Sequence, residues 1–280
     1  MPKQIKKLGI FYRDDNIQAK KWEQKIRAWL KEKFPKVVVT NNHPDILLVL
    51  GGDGTITEAA RNSKNGRPLL LGLNLGTFGF LATIRESKHF LTGIGQALSS
   101  RYQVVKKITI EAEVIRNGNI VFQTDAFNEF VIQHLIGVVE LGVSINGAEI
   151  QFIKGNGVLV ATASGSTAYN LSAHGPIVVP DLQCMIITEL LDHNLPTPSV
   201  VVRDSAKVEI KVINFREKKL LVHSINGEDM DVILTVDDRK IFSLKPGDVI
   251  KIRRSPHDIS FIEFDGNHFF KSLQEKFAFK

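Results

Sequence analysis

The fold is decided by the stretch DILLVLGGDGT, which runs from Asp45 to Thr55. Five apolar residues in succession, 46–50, have the length of a strand that is buried in a parallel sheet. They end abruptly in a loop that sets one acid among glycines, namely Gly51, Gly52, Asp53, Gly54 and Thr55. The stretch therefore predicts a strand that delivers a single carboxylate to a glycine loop.

A glycine loop of this kind can hold an anionic ligand, because residues without a Cβ let backbone N–H groups approach it closely. The segment ITEAARN, residues 56–62, predicts a helix after the loop, with Thr55 as its N-cap. A helix N-terminus favours phosphate. No Gly-Lys-Ser/Thr sequence follows, so this is not a Walker loop. These residues alone leave two alternatives open, a phosphate site and a tight turn with an incidental Asp.

The sequence GGDGT resembles the signature that is shared by NAD kinases, by diacylglycerol and sphingosine kinases, and by 6-phosphofructokinases. The resemblance implies a phosphoryl transferase. It leaves the acceptor open, and residues further along the chain have to identify it.

The composition is that of an ordinary globular protein with room for two domains: 280 residues, 43% hydrophobic and 24% charged. The formal net charge is +6, but the 36 basic residues are spread along the chain rather than gathered into an arm. Binding of nucleic acid is therefore weakly supported, and we expect no nucleic-acid partner. A basic cleft would equally attract a small polyanion such as a nucleotide.

Cys184 is the only cysteine, so no intrachain disulfide can form and the chain cannot build a cysteine metal cluster by itself. No apolar run approaches the roughly 20 residues of a membrane helix, and the N-terminal segment lacks the apolar core of a signal peptide. We therefore expect a cytoplasmic protein with no membrane partner.

The first hundred residues alternate strand and helix patterns. A strand is predicted over 8–12, an amphipathic helix over 17–34, a strand at 37–40 and a helix over 87–98. A second apolar strand, 69–73, ends in Asn74 and the spaced glycines Gly76 and Gly79. Two neighbouring strands that both finish in glycine loops would form one crevice at their carboxyl ends, where open α/β sheets bind ligands.

The pattern changes after Tyr102, where segments alternate apolar and polar residues. The turns Asn117-Gly118 and Asn146-Gly147 predict two β-hairpins. Further strands are predicted in VVVRDSAKVEIKVI, KLLVHSIN, MDVILTVDD and KPGDVIKIRR. The fold class is thus an α/β N-terminal domain with a Rossmann-like parallel sheet (1–100), a β-rich domain (101–255), and a C-terminal tail (256–280) that packs back on the first domain.

Two stretches in the β-rich half resemble the NAD kinase family. One is the pair Asn128-Glu129, and the other is GNGVLVATASGSTAYNLSAHGPIV, residues 155–178. With GGDGT and LGLNLGTFGFLA, the resemblance covers about residues 45–203 in the family's order. The residue types also suit an adenine nucleotide, because an amide can both donate to and accept from a base edge, while a carboxylate accepts from ribose hydroxyls.

The resemblance implies the transfer of a phosphoryl group from ATP or polyphosphate, with Mg²⁺, to the adenosine ribose 2′-hydroxyl of NAD, with Asp53 as the catalytic base. It assigns the phosphate donor to Gly51, Gly52, Gly54, Thr55 and Asn74. It assigns NAD to Asp53, Gly54, Asn128, Glu129, Lys154, Asn156, Thr167, Ala168, Tyr169 and Ser172. The run 164–167 would open a helix through Leu171 and present hydroxyl and backbone donors to a pyrophosphate. Tyr169 either stacks on a base or packs in the core. The family forms homo-oligomers, so a homodimer or homotetramer is expected, and hairpin edges could pair in it.

The chain departs from the family pattern at three places. Asn156 stands where the family has Asp, and it either contacts the nicotinamide end of NAD or only shapes a turn between its glycine neighbours. Ala161-Thr162-Ala163 replaces Ser-Thr-Pro, and Asp237-Asp238 replaces Asp-Gly. His193 matches the histidine of a Pro-His pair of the family, but the residue before it is not proline. For His193, a structural role is favoured over a metal site.

Two other functions remain open. One is a regulator that binds NAD without catalysis, against which the intact Asp53 argues. The other is a lipid kinase that shares the GGDGT loop, against which the lack of a membrane-seeking helix argues mildly.

Overall fold

The computed structural model describes residues 5–63, 68–76, 79–193, 197–216, 230–264, 266 and 268–277. The chain divides into two compact units, the first made of Met1–Lys107 with Asp258–Lys280 and the second of Ile108–His257. The boundaries expected from the sequence, near residues 100 and 255, compare with residues 107 and 257 here.

Strands and helices alternate in the first part of unit one. The strands are β1 (Lys7–Phe11), β2 (Val38–Val39), β3 (Ile46–Leu50), β4 (Leu69–Leu73) and β5 (Gln103–Lys107), and the helices are α1 (Ile17–Lys33), α2 (Asp53–Asn62) and α3 (Phe90–Leu98). The helix predicted over 17–34 is confirmed, and the side chain of Asn16 caps it by accepting from the Ala19 N–H. The helix predicted over 87–98 becomes α-helical only at Phe90, because residues 87–89 form a 3-10 turn.

The second unit is built almost entirely of antiparallel strands. They are β6 (Ile110–Arg116), β7 (Asn119–Ala126), β8 (Glu129–His134), β9 (Val139–Ile145), β10 (Ala148–Thr162), β11 (Cys184–Asp192), β12 (Val200–Arg203), β13 (Val208–Phe215), β14 (Val232–Val236), β15 (Lys240–Leu244) and β16 (Val249–Arg254), with the short helix α4 (Tyr169–Ser172). Both predicted hairpins are confirmed, β6 with β7 and β9 with β10. The strand predicted in KLLVHSIN lies outside the described residues.

The last part of the chain returns to the first unit as β17 (Ile259–Glu263) and helix α5 (His268–Phe277). The first sheet has the order β2-β1-β3-β4-β17-β5, in which β17 pairs in parallel with β4 and antiparallel with β5. The tail therefore supplies an interior strand of this sheet.

Each unit has its own hydrophobic core. In the first, fully buried side chains of β3 and β4 such as Leu48 and Leu71 pack with Phe90 of α3. In the second, the core joins inward-facing residues of most strands, among them Phe130, Leu141 and Ile210. The predicted fold class is confirmed as a parallel α/β unit and an antiparallel β-rich unit. Among the described helices, none is long and apolar enough to cross a membrane.

Candidate active site

Asp53 stands at the carboxyl end of β3, where it is the first residue of α2. The helix is preceded by Gly52 in extended conformation, with φ −88° and ψ −175°. The prediction of Thr55 as the N-cap is therefore wrong, since α2 begins two residues earlier and the Thr55 N–H already donates to the Gly52 carbonyl at 2.9 Å. The Thr55 side chain instead covers Gly51, where an added Cβ would lie 2.6 Å from Thr55 Cβ.

The loops after β3 and β4 are joined by backbone hydrogen bonds. The Gly51 N–H donates to the Leu73 carbonyl at 3.0 Å, and the Leu75 N–H donates to the Gly51 carbonyl at 3.4 Å. Asn74 is buried, and its side-chain oxygen accepts from the Gly76 N–H at 2.9 Å. The two glycine loops thus lie side by side at the carboxyl edge of the first sheet, where the sequence predicts a crevice.

The Asp53 carboxylate is held by the second of these loops. It accepts the N–H groups of Phe80 at 2.7 Å and Leu81 at 3.1 Å. Any Cβ at Gly79 would collide with its Oδ1, so only glycine allows the loop to approach this closely. Burial raises the pKa of Asp53, which outweighs the opposite effects of these N–H groups and of Lys276. A fixed, desolvated carboxylate with a raised pKa is suited to accept a proton.

Arg13 is a residue of this region that the sequence did not reveal. It follows β1, the neighbour of β3 in the sheet, and its Nη2 lies 3.5 Å from the position that a Cβ of residue 54 would occupy. Its Nε pairs with Glu58 of α2 at 3.0 Å, while 42% of the side chain stays exposed. The structure therefore places a positive charge beside Gly54, which the resemblance assigns to both the phosphate donor and NAD. No motif marks Arg13, because its place depends on the sheet order.

Glu129 is the second carboxylate of interest. It opens β8 and is only 2% exposed. The backbone N–H of Tyr169, the first residue of α4, donates to it. Burial, followed by the charges of Asp237 and Asp238, raises the pKa of Glu129 well above its ordinary value. Within the described part of the chain, its Oε2 has no hydrogen-bond partner. A buried oxygen without a partner is costly, so this atom is an acceptor available to a ligand.

Gly165, in the sequence Gly-Ser-Thr-Ala-Tyr, is required by the packing around it. A Cβ at Gly165 would collide with the Asn128 carbonyl and would lie 2.7 Å from its carbon. The segment 164–167 can therefore rest directly on the backbone of the Asn128-Glu129 pair only with glycine at this position.

The segment 164–167 differs from the single helix expected. It is a 3-10 turn, and Ala168, with φ −95° and ψ −128°, separates it from α4. Ser166 is fully buried, and its hydroxyl bonds with the carbonyl and the N–H of Val178, both at 3.1 Å. The Thr167 hydroxyl donates to the Ser164 carbonyl at 3.4 Å. The Ser166 hydroxyl predicted to meet a pyrophosphate is therefore used inside the fold.

Three of the residues assigned to NAD line one cavity of about 490 Å³ in the second unit. They are Asn156 on β10 and Tyr169 and Ser172 on α4. Other polar residues that line the cavity include Gln133, Thr188, Glu189 and Ser199. Tyr169 also packs against the apolar cluster around Leu159, so it meets both the core and the cavity. Asn156 lies within β10 between two strands, and the interpretation of it as a turn residue is wrong.

The remaining assigned residues lie elsewhere. Lys154, on the same strand as Asn156, forms an exposed ion pair with Glu140 at 2.8 Å. Four further residues assigned to NAD are not among those that line the cavity, namely Asn128, Glu129, Thr167 and Ala168. His193 is exposed, its N–H donates to the Lys154 carbonyl, and the described residues contain no group of three or more His, Cys, Asp or Glu that could hold a metal.

The departures from the family pattern can now be placed. Asp237 and Asp238 form the turn after β14 with φ of 46° and 59°. Left-handed backbone favours glycine and is tolerated by Asp, which accounts for an Asp at the second position. Ala161 and Ala163 are buried around Thr162 at the end of β10.

Comparison with known proteins gives consistent matches. The sequence model of the ATP-NAD kinase N-terminal domain matches residues 39–102, and that of the ATP-NAD kinase C-terminal domain matches residues 128–264. The NAD kinase of Geobacter metallireducens is 34% identical over 97% of this chain and 98% of its own length. The NAD kinase of Syntrophotalea carbinolica is 33% identical over 83% of this chain and 77% of its own length.

Two solved structures share the fold. Yeast NADH kinase complexed with NADH matches with a TM-score of 0.88 and 21% identity, over 100% of this chain and 89% of the yeast chain. An NAD kinase from Archaeoglobus fulgidus in complex with ATP matches with a TM-score of 0.77 and 22% identity, over 98% of this chain and 100% of the archaeal one.

Proposed function

The chain belongs to the NAD kinase family, whose members phosphorylate NAD to NADP, and we propose that Asp53 is the general base of this reaction. The observation that carries the proposal is the position of the Asp53 carboxylate. It is fixed by two N–H groups between two glycine loops, and burial raises its pKa.

The proton balance of the step is simple. The adenosine ribose 2′-oxygen attacks the terminal phosphoryl group of ATP, its proton passes to the Asp53 carboxylate, and ADP leaves. The N-terminus of α2, with Gly52 and Gly54, offers backbone N–H groups to the donor phosphates, whereas the N–H of Gly51 is already bonded to the Leu73 carbonyl. A divalent cation such as Mg²⁺, bound with the phosphate oxygens of the donor, would offset their negative charge.

We also propose that residues of the second unit recognise NAD. Glu129 accepts from ribose hydroxyls, which satisfies its Oε2, and Asn128 next to it recognises the base. Tyr169, Ser172 and Asn156 would contact NAD from the lining of their cavity. Thr167 and Ala168 lie between Gly165, which rests on the Asn128 backbone, and Tyr169 of the cavity, and we assign them to NAD as well. Lys154 would make an outer contact.

Arg13 is proposed to bind the donor phosphates, because its guanidinium lies beside Gly54. Arg13→Ala is expected to raise the KM for ATP by about tenfold, as one charge-assisted hydrogen bond is lost, and to leave the KM for NAD unchanged. Arg27→Ala, which breaks a similar exposed ion pair with Glu23 on α1, is the matched control. An equal change in both variants, or a rise in the KM for NAD alone, would remove Arg13 from the donor site.

Asn156→Asp tests the contact of the cavity with NAD. We expect tighter NAD binding by about tenfold or less, because a charged acceptor forms hydrogen bonds roughly twice as strong as a neutral one. Asn117→Asp adds the same charge at an exposed hairpin turn of the same unit and serves as the control. Calorimetric titration with NAD decides, and weaker or unaltered binding in Asn156→Asp would separate this residue from NAD.

We also propose a homodimer or homotetramer that acts in the cytoplasm. Apolar side chains on the outer surface of the second sheet support the assembly, namely Ile150 and Phe152 on β10 and Ile213 on β13. Ile213 lies 3.4 Å from the position of a Cβ at Gly142, on the strand between these two. Contact with another copy would remove this apolar surface from water.

The proposed function is tested by incubating the protein with NAD, Mg²⁺ and either ATP or polyphosphate, and by measuring NADP with an NADP-specific dehydrogenase. NADP formation with at least one donor is expected. NAD binding without NADP formation from either donor would instead indicate a regulator. In a parallel incubation with diacylglycerol, ATP and Mg²⁺, phosphate transfer to the lipid without NADP formation in the first assay would indicate a lipid kinase.

A further inference from the structure

The backbone at the start of β8 is held by a side chain from a distant turn. Asp237 is buried, and its Oδ2 accepts the Phe127 N–H at 2.9 Å. Its Oδ1 accepts the N–H groups of Asn128 at 2.8 Å and Glu129 at 3.1 Å. One carboxylate thus receives three successive backbone N–H groups.

The carbonyl groups of the same three residues are also bonded. The Thr162 hydroxyl donates to the Phe127 carbonyl at 2.8 Å, and the Thr162 N–H donates to the Asn128 carbonyl at 2.8 Å. The Asp237 N–H donates to the Glu129 carbonyl at 3.2 Å. Every backbone polar group of residues 127–129 therefore bonds to either Asp237 or Thr162.

We propose that Asp237 and Thr162 are positioning residues for NAD, because they fix the backbone that aims the Asn128 and Glu129 side chains. The inference rests on the proposed function, in which Asn128 recognises the base and Glu129 accepts from ribose hydroxyls of NAD. Neither residue needs to touch NAD. Both act through the pair that does.

The electrostatics favour this role over simple turn formation. Asp237 places a negative charge close to Glu129, a second buried carboxylate, and such an arrangement opposes folding. A turn alone does not require this, since Asn serves equally well in left-handed turns. An acceptor for three N–H groups does require a carboxylate, because an Asn side chain has one oxygen and would turn N–H donors toward the backbone.

Asp237→Asn is therefore expected to weaken NAD binding by about tenfold, since at least one charge-assisted bond to the segment is lost and Glu129 is no longer held in place. The KM for ATP should stay unchanged. Thr162→Val keeps the shape but removes the hydroxyl, so NAD binding should weaken by a few fold. Thr162→Ser restores the donor and should restore binding.

Asp248→Asn is the matched control. Asp248 is fully buried in the same unit, and it accepts the backbone N–H of Lys245 at 2.8 Å and the Arg116 guanidinium at 2.7 Å. Its replacement removes a similar set of bonds at a turn that holds no assigned ligand. A loss of stability is expected there, with NAD affinity unchanged.

The experiment measures NAD affinity by calorimetry in the wild-type protein and these four variants, together with hydrogen exchange of the amides of residues 127–129. We expect faster exchange and weaker NAD binding in Asp237→Asn and Thr162→Val, and neither change in Thr162→Ser or Asp248→Asn. If the wild-type protein binds no NAD, the proposed function fails. If it binds NAD and Asp237→Asn binds as well as the wild type, or no more weakly than Asp248→Asn, the positioning role fails. Should Asp237→Asn not fold, the comparison of Thr162→Val with Thr162→Ser decides alone, and equal affinities refute the inference.

Discussion

Replacing Asp53 by Asn is expected to lower kcat by about 10²- to 10⁴-fold, the typical cost of removing a general base, while the dissociation constant for NAD changes by less than about threefold. The amide cannot accept the ribose proton at neutral pH. Asparagine has nearly the same shape, so the loop at Phe80 and Leu81 keeps at least one of its two bonds. Rates with saturating NAD and ATP, together with NAD titrations, measure both quantities.

The matched control for this variant is Asp45→Asn. Asp45 stands at the opposite end of β3, where its carboxylate accepts the N–H groups of Lys6 at 2.9 Å and Lys7 at 3.0 Å. Asp45→Asn therefore removes the charge from an acceptor of two backbone N–H groups away from the candidate active site. We expect a kcat within about threefold of the wild-type value, as for substitutions distant from a reacting group. Near-normal turnover in Asp53→Asn, or an equal loss in both variants, would contradict the role of Asp53 as base.

The pH dependence of kcat provides a second readout of Asp53. Burial raises its pKa, so the base becomes protonated, and activity falls, at a higher pH than for an ordinary carboxyl group. The acid limb of the profile should therefore lie above the usual range for Asp, and Asp53→Asn should abolish that limb.

Glu129→Ala has the second-largest expected effect, a rise in the KM for NAD with a smaller fall in kcat. Contacts to ribose hydroxyls remote from the reacting oxygen are lost equally in the ground state and the transition state. Two such bonds to a charged acceptor correspond to about 1.5–3 kcal/mol. Steady-state kinetics with NAD as the varied substrate measure the change, and an unchanged KM would exclude Glu129 from recognition of NAD.

Glu129→Gln separates recognition from folding. The folded-state pKa of Glu129 lies well above its unfolded-state value, so the native state binds more protons. Stability from this group is thus fully present below the ordinary pKa of Glu and is lost as the pH rises through the raised pKa. Above the raised pKa, where Glu129 is charged in the folded protein, Gln removes the buried charge, so Glu129→Gln should raise Tm there while it raises the KM for NAD. A lower Tm in this variant would show that the carboxylate stabilises the fold.

The parts of the fold that depend on local pattern could be predicted from the sequence. The apolar run of β3 and the Asn-Gly turns fix a strand and two hairpins through short-range chemistry. The start of α2 could not be placed, because an extended glycine and a capping Thr leave the same pattern. The insertion of β17 between β4 and β5 could not be predicted either, because it pairs residues that are far apart in the sequence, such as Phe261 and Leu70.

The same division applies to the candidate site. Asp53, Glu129 and Tyr169 lie in motifs, and their residue types indicate their chemistry. Arg13 lies in no motif, and the match of Asp237 to the family's Asp-Gly pair indicates no role for it, because the importance of both residues arises only when β1 pairs with β3 and β14 pairs with β8. A sequence contains the residues of such contacts but not the register that brings them together.

The most direct test of the central claim uses NAD and an NAD analogue whose adenosine ribose lacks only the 2′-hydroxyl. Each is incubated with the protein, ATP and Mg²⁺, and the phosphorylated product is identified by ³¹P NMR. We predict a 2′-phosphate on the adenosine ribose of NAD, no transfer to the analogue, and competitive inhibition by the analogue. Phosphate transfer to the analogue, or no transfer to NAD while NAD remains bound, would contradict the account.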